Sequence, residues 1–184
     1  MSAVARNGSV AVFDPSKYTA IEKLRDGRAL EIRAFWPEDR AGLLAAADRV
    51  GPRSRYLRFF TLKRDFTDKE KAFFLNVDFD RHVALVGLVE EATGKSIVGG
   101  GRYVVTEPGT AEVAFTVVDK YQGQGVGTAL LRHLIIAARE GGLHKLIAEV
   151  LPENRPMLHL FETSGLPVRI AAEPEVVHVA IQLR

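Results

Sequence analysis

Residues 111–127 read AEVAFTVVDKYQGQGVG, and this stretch decides how the rest of the chain is read. Ala111 to Val118 is an apolar, β-branched run and predicts a strand. From Val126 to Glu140 the apolar residues Val126, Leu130, Leu131, Leu134, Ile135 and Ala138 fall on one stripe, which predicts an amphipathic helix ended by Gly141-Gly142. Between them, Gln122-Gly123-Gln124-Gly125-Val126-Gly127 sets three glycines at alternate positions before the helix N-terminus. Glycine lets backbone amides approach an anion with no Cβ in the way. A helix start adds free N–H groups and partial positive charge, so the combination suits a phosphate or diphosphate. A plain glycine turn between strand and helix is the competing reading. Two phosphate loops are excluded. No Lys-Ser or Lys-Thr follows the last glycine, as a P-loop requires. The spacing is not GxGxxG, and three strands rather than one precede the loop, which argues against a dinucleotide-binding βαβ unit.

Those other strands lie upstream. Val83–Val89 and Ser96–Val105 are apolar runs separated by the turn Thr93-Gly94-Lys95, and Glu107-Pro108-Gly109 leads into the third. Short turns between such runs predict an antiparallel meander. Further upstream, Leu30, Ile32 and Ala34 alternate with Glu31 and Arg33, the pattern of a half-buried strand. Pro37 opens a helix running to about Val50, Ser54–Phe60 a second, and the capping-box spacing Thr67-Asp68-Lys69-Glu70 a third that reaches about Asn76. Downstream, Lys145–Leu151 reads as a strand, Arg155–Thr163 as a helix, and Val168–Ala172 and Val176–Leu183 as closing strands. The order predicts an α/β (α+β) domain with a mixed, mostly antiparallel central sheet flanked by helices. Residues 1–25 read as a lead-in and 26–184 as a single domain.

Composition narrows the function classes. The chain is 47% hydrophobic and 26% charged, an ordinary globular balance. Its 25 basic and 23 acidic residues leave a net charge of +2, a poor match to nucleic acid. There is no cysteine, so disulfides, thiolate metal sites and a cysteine nucleophile are excluded together, which fits the cytoplasm. The histidines, at 82, 133, 144, 159 and 178, have no metal-site spacing, so no metal is expected. No apolar run is long enough to span a bilayer, and no membrane association is expected.

Gln122-Gly123-Gln124-Gly125-Val126-Gly127 resembles the Q/R-x-x-G-x-G/A signature of the GNAT superfamily of N-acetyltransferases, and the element order from about Leu24 onward resembles that superfamily's fold. The resemblance implies acetyl-CoA as co-substrate. It implies that the amides of Gly123, Gln124, Gly125, Val126, Gly127 and Thr128 take the diphosphate, with Gln122 leading the signature. It implies that backbone groups of Phe115, Thr116 and Val117 meet the pantetheine arm. Asn154 matches an asparagine that touches the cofactor arm; it is equally readable as a helix N-cap, and one residue can do both.

A second resemblance lies upstream. Ser54-Arg55-Tyr56-Leu57-Arg58-Phe59-Phe60 looks like a stretch of the Pat-type protein lysine acetyltransferases. So do Asp26-Gly27, Ile32-Arg33, Val77-Asp78 and Ala111–Val117. That group acetylates lysines of acyl-CoA synthetases and similar enzymes, often with a regulatory domain attached, for which 184 residues leave no room. It implies a protein partner, with the chain itself a monomer or homodimer. The aromatic residues of the stretch are also readable as helical core, and Arg53, Arg55 and Arg58 as a patch for an acidic surface or a solvated face.

Acetyl transfer to an amine requires the amine neutral, yet a lysine ammonium titrates near 10.4, so a base must take a proton. Glu112 is the candidate: it begins the strand that enters the loop, among Ala111, Val113, Ala114 and Phe115, where apolar surroundings would raise its pKa. In the Pat-type group the glutamate of the matching A-E-x-A-F motif is the general base; the competing reading is a polar residue on an open strand face. Many superfamily members carry a tyrosine seven residues after the asparagine as the acid. Here that position is Phe161, and the acid stays unassigned; nothing aims Tyr121 at the sulfur. Arg132 and His133 are read as a solvated helix face, with the adenosine phosphates as the alternative, and His82 and His178 as structural. A small-amine acetyltransferase and a non-catalytic acyl-CoA sensor are the rival functions.

Overall fold

The computed structural model describes residues 13–60 and 67–184, so Met1–Val12 of the lead-in lies outside the described residues. Eight strands form one sheet: β1 Thr19–Lys23, β2 Ala29–Ala34, β3 His82–Glu91, β4 Gly94–Glu107, β5 Thr110–Val117, β6 Lys145–Val150, β7 Val168–Ala172 and β8 Val177–Gln182. The helices are α1 Arg40–Asp48, α2 Pro52–Phe59, α3 Asp68–Leu75, α4 Val126–Glu140 and α5 Arg155–Glu162. Strand order is β1-β2-β3-β4-β5-β6-β8-β7, and every pairing is antiparallel except β5–β6. The expected mixed, mostly antiparallel sheet flanked by helices is therefore the fold.

Local chemistry accounts for most boundaries. Thr67 caps α3: its hydroxyl accepts from the Glu70 amide at 3.3 Å, while the Glu70 carboxylate accepts from the Thr67 amide at 2.8 Å. α2 starts at Pro52, two residues earlier than expected, because proline suits the first helical position. The helix expected from Pro37 opens instead with a 3-10 turn, Pro37–Asp39, before α1 proper.

Directly opposed residues share a face, so register assigns the sheet's two sides. α4 lies on the side of Gly99 and Gly101. A Cβ on Gly101 would stand 2.8 Å from Leu134 of α4 and 2.7 Å from Phe115, closer than carbon atoms pack. α5 joins that side, with Phe161 tilted against Phe115 at 6.1 Å between ring centres. The other side carries Arg102 and Ala114 beneath α1, α2 and α3, with Glu112 exposed on the same face. The core is Leu30, Ile32, Leu85, Leu130, Leu134, Leu146 and Ile181 with their neighbours, all nearly inaccessible.

Residues 19–23, read as lead-in, are the edge strand β1. The pattern hides it, because Ile21 points outward, 70% exposed. Pairing with β2 and polar contacts to α4 hold it instead. His133 is buried, with Nδ1 beside the Tyr18 hydroxyl and Nε2 2.7 Å from Glu22, which also pairs with Arg132 at 2.9 Å. The solvated helix face expected of both therefore holds for Arg132, which is exposed, and is corrected for His133, which is buried and ties α4 to β1.

His82 is structural, as expected. It is buried, stacks on Phe73 at 4.9 Å and accepts from Arg102 Nη1 at 3.0 Å through Nε2, which requires a neutral ring. Burial, then the Arg102 charge, push its pKa down to about 4 against the opposing pull of Asp78. Between about 4 and 6.5 the unfolded chain holds a proton that the folded one lacks, so stability rises with pH across that window. Lowering pH from 7 to 5 is expected to cost about 2 kcal/mol through this group, at about 1.4 kcal/mol per unit. Thermal melts at the two pH values check this. His82→Gln, which keeps an acceptor for Arg102 but cannot titrate, is expected to flatten the difference; an unchanged slope would assign it to other groups.

Candidate active site

The glycine loop takes the conformation that its glycines allow. Gly123 sits at φ 71° and Gly125 at φ 101°, both in the left-handed region, and no atom lies within 4 Å of where a Cβ would be. Gly125 is the N-cap of α4, and the Ala129 amide already donates to its carbonyl at 3.0 Å. Among the described residues, no amide from Gly123 to Thr128 donates to a protein acceptor. Six consecutive N–H groups at the positive end of a 15-residue helix are therefore free, which is the chemistry of an anion cradle. The Val126 side chain is core, so only its backbone belongs to this site.

Contacts on two flanks brace the loop. The Gln122 side chain donates to Ser54 Oγ at 3.1 Å, to the Val117 carbonyl at 3.2 Å and to Asp119 at 3.2 Å, clasping the loop to α2 and the end of β5. On the opposite flank, Arg25 donates through its side chain to the Gly123 carbonyl at 2.9 Å and through its amide to the Gln124 carbonyl at 3.1 Å. Arg28 reaches the Gln124 side-chain oxygen at 3.2 Å. These arginines were not legible as site residues: they stand in the β1–β2 turn, some hundred residues from the loop, and add positive charge beside it.

β5 and β6 part where chemistry was expected. Their parallel ladder consists of Thr110↔Lys145, Ala111↔Leu146 and Glu112↔Ile147 and stops there. Beyond it β6 continues with β8, while β5 stays paired with β4 as far as Gly99↔Val117. The edge of β5 facing β6 is therefore open from Val113 onward, leaving backbone groups of the Phe115–Val117 segment free of a second ladder. The Phe115 side chain is buried on the α4 side, so its contribution here is backbone alone.

Glu112 stands at the branch point, in a cross-strand row with Val104, Ile147, Ala180 and Arg169. It faces an open groove over β6, β8 and β7, which Glu149 and His178 also line. His178 lies 3.7 Å from Glu149 and 3.6 Å from Glu173. The apolar enclosure expected around Glu112 is not there: its side chain is exposed, because its apolar sequence neighbours Ala111 and Val113 point to the other face. Glu112 instead shares the groove with Glu149, Arg169 and His178, a mixed polar lining.

Asn154 is buried and caps α5, its Oδ1 accepting from the Met157 amide at 3.3 Å, so the N-cap reading holds. Tyr121 is fully buried, its hydroxyl bonded to Glu91 and its ring beside Arg28, which commits it elsewhere than a thiol leaving group. Arg53, Arg55 and Arg58 do not form one patch. Arg53 is exposed, Arg55 donates to the α1 C-terminal carbonyls of Ala47 and Val50 at 3.0 and 2.8 Å, and Arg58 points into a cleft. That cleft, of about 110 Å³, lies between α1, α2, α3 and the sheet, and Ala114 and Thr116 of β5 form part of its floor.

Residues 52–166 match the family model described as Acetyltransferase (GNAT) family. Acetyltransferase PA5475 of Pseudomonas aeruginosa is 33% identical over 141 residues, covering 76% of each chain. Acetyltransferase Pat of Mycolicibacterium smegmatis is 30% identical over 145 residues; the match covers 78% of this chain but 43% of that protein, so this chain spans less than half its length. Among solved structures, the GNAT domain of S. lividans PAT superposes with a TM-score of 0.80 at 32% identity, covering 89% of this chain and 96% of that one.

Proposed function

The chain belongs to the acetyltransferase (GNAT) family, and on that premise we propose that it moves an acetyl group from acetyl-CoA to a primary amine, the ε-amino group of a protein lysine, with Glu112 as general base. The observation that carries this reading is the parting of β5 from β6 at Glu112, directly upstream of a loop with free amides. Acetyl-CoA supplies the acetyl group as an activated thioester.

The residues fit that co-substrate. Free amides from Gly123 to Thr128 suit its diphosphate, and the open edge at Phe115, Thr116 and Val117 offers the donors and acceptors that a pantetheine arm pairs with. Asn154, at the start of α5, has its Oδ1 engaged as a cap and keeps its amide NH₂ for that arm. Glu112 accepts the proton that the ammonium must lose, directly or through water, before the amine attacks. No cysteine exists to carry the acetyl group, so attack is direct.

Two observations favour lysine as acceptor. The groove around Glu112 is open and also presents Glu149, so the two together give an ammonium two carboxylates to pair with beside Arg169. The GNAT domain of S. lividans PAT shares the fold, and the Ser54–Phe60 stretch, which resembles the Pat-type group, here packs beside the loop through Ser54. An acyl-CoA synthetase is the protein partner that the Pat resemblance suggests. A small-amine acceptor is the second reading, favoured by the match of 67 residues, at 37% identity, to L-amino acid N-acyltransferase MnaT of Escherichia coli.

Release of free CoA from acetyl-CoA, measured in parallel with a lysine-containing protein lysate and with small amines, tests the proposal. Release is expected with the lysate, accompanied by acetyl-lysine in mass spectra. Acetyl-CoA binding without release from any acceptor would leave only a non-catalytic sensor.

A further inference from the structure

Two neighbouring peptide planes of the glycine loop are held by one residue from outside it. The Arg25 guanidinium donates to the Gly123 carbonyl at 2.9 Å, and the Arg25 amide donates to the Gln124 carbonyl at 3.1 Å. Among the described residues, no other donor is bonded to either oxygen. In a trans peptide the C=O of one residue and the N–H of the next point in opposite directions. Fixing the Gly123 carbonyl on Arg25 therefore aims the Gln124 N–H away from the β1–β2 turn. Fixing the Gln124 carbonyl aims the Gly125 N–H away from it too, and neither amide donates to a described protein acceptor.

The glycines create the need for such a lock. Gly123 at φ 71° and Gly125 at φ 101° take left-handed conformations without strain, but the same freedom lets the peptide planes beside them turn over cheaply. A cradle that loses its aim when empty must be ordered again when the ligand arrives, at a cost in affinity. A carbonyl bonded to a cation also polarises its peptide, which makes the N–H on the far side a stronger donor to an anion. Arg25 is itself anchored. Leu24 before it is buried and donates through its amide to the Arg28 carbonyl at 2.9 Å, and the Gly27 amide closes the turn on the Leu24 carbonyl at 2.9 Å. β1, which leads into the turn, is tied to α4 by Glu22 and His133 at 2.7 Å. Arg28 differs: it reaches the Gln124 side chain at 3.2 Å and pairs with Asp26 at 2.7 Å, with no hydrogen bond to the loop backbone.

We propose that Arg25 is a positioning residue for the co-substrate, its side chain holding the Gln124 amide and its backbone the Gly125 amide aimed at the diphosphate before acetyl-CoA arrives. The Arg25 side chain then sets affinity and leaves the acetyl-transfer step alone. This rests on the reading of the loop as the diphosphate site.

The tests are calorimetric titration of the whole protein with CoA, and steady-state kinetics with acetyl-CoA and with S-acetylpantetheine, which carries the thioester arm without the phosphates. Arg25→Met keeps an unbranched stem and removes the donor. It is expected to weaken CoA about tenfold and to raise KM for acetyl-CoA in step, with kcat within about twofold. Its kcat/KM with S-acetylpantetheine is expected to equal that of the wild type, because that donor never meets the loop amides. Arg25→Lys restores a donor and is expected to return CoA affinity to within about threefold of the wild type. Arg28→Met removes an equal charge beside the loop and is expected to cost less than about threefold. Both arginines are exposed, so Tm is expected to hold in each variant. Wild-type CoA affinity in Arg25→Met, an equal loss in Arg28→Met, or the same loss with S-acetylpantetheine as with acetyl-CoA would overturn the role of Arg25 and leave the loop reading in place. No saturable CoA binding by the unaltered chain would overturn both. Because CoA binding is read without turnover, failure of acetyl transfer leaves that result intact.

Discussion

Replacing Glu112 by glutamine is expected to lower kcat at pH 7 by about 10²–10⁴-fold, the usual worth of a positioned general base, while acetyl-CoA affinity stays within about twofold. The substitution is isosteric and removes only the proton acceptor. At pH 7 an amine titrating near 10.4 is neutral in about one molecule of 2,500, so without a base the reaction draws on that small fraction. The deficit is therefore expected to narrow as pH rises, because solvent hydroxide takes over the proton. Glu112 is exposed and stands at the end of the three-pair β5–β6 ladder, so the fold and the glycine loop are expected to be indifferent to the change. The readouts are kcat against pH and acetyl-CoA binding by calorimetry. Near-normal turnover across pH 6–9 would remove Glu112 from the mechanism.

Gly125→Val is expected to weaken acetyl-CoA binding by about ten- to a hundredfold, with a much smaller effect on kcat at saturation. Gly125 holds φ 101°, where an L-residue costs about 1–2 kcal/mol and a β-branched one more. No atom lies within 4 Å of the new Cβ, so the fold does not resist it through a clash. The penalty falls on the loop itself, which relieves it by turning the amides of Gly125 and Val126 away from their common target. Tm is expected to change little, because Gly125 carries no core side chain. Titration with CoA and with acetyl-CoA reads the effect, and wild-type affinity in a well-folded variant would move the diphosphate elsewhere.

How much of this was legible beforehand differs from element to element. The loop and α4 were readable because their signals are local: alternate glycines, then an apolar stripe at helical spacing. β2, α4 and β7 have the boundaries that periodicity predicts. β1 was not readable, because an edge strand whose Ile21 faces outward is held by backbone pairing and by Glu22 and Tyr18 reaching His133. The enclosure of Glu112 was misjudged for a related reason. Sequence neighbours on a strand point to opposite faces, so Ala111 and Val113 say nothing about what surrounds Glu112.

The same division holds for the molecule as a whole. Sequence alone determined the α/β class, the mostly antiparallel meander, the glycine loop ahead of α4 and the glutamate upstream of it, since each is written in residues close together in the chain. Tertiary structure alone decided where β5 leaves β6, which turn braces the loop through Arg25 and Arg28, and that Arg58 and Arg102 share one cleft. Those features depend on contacts between residues some forty to a hundred positions apart, and such contacts leave no period or spacing in the chain that makes them.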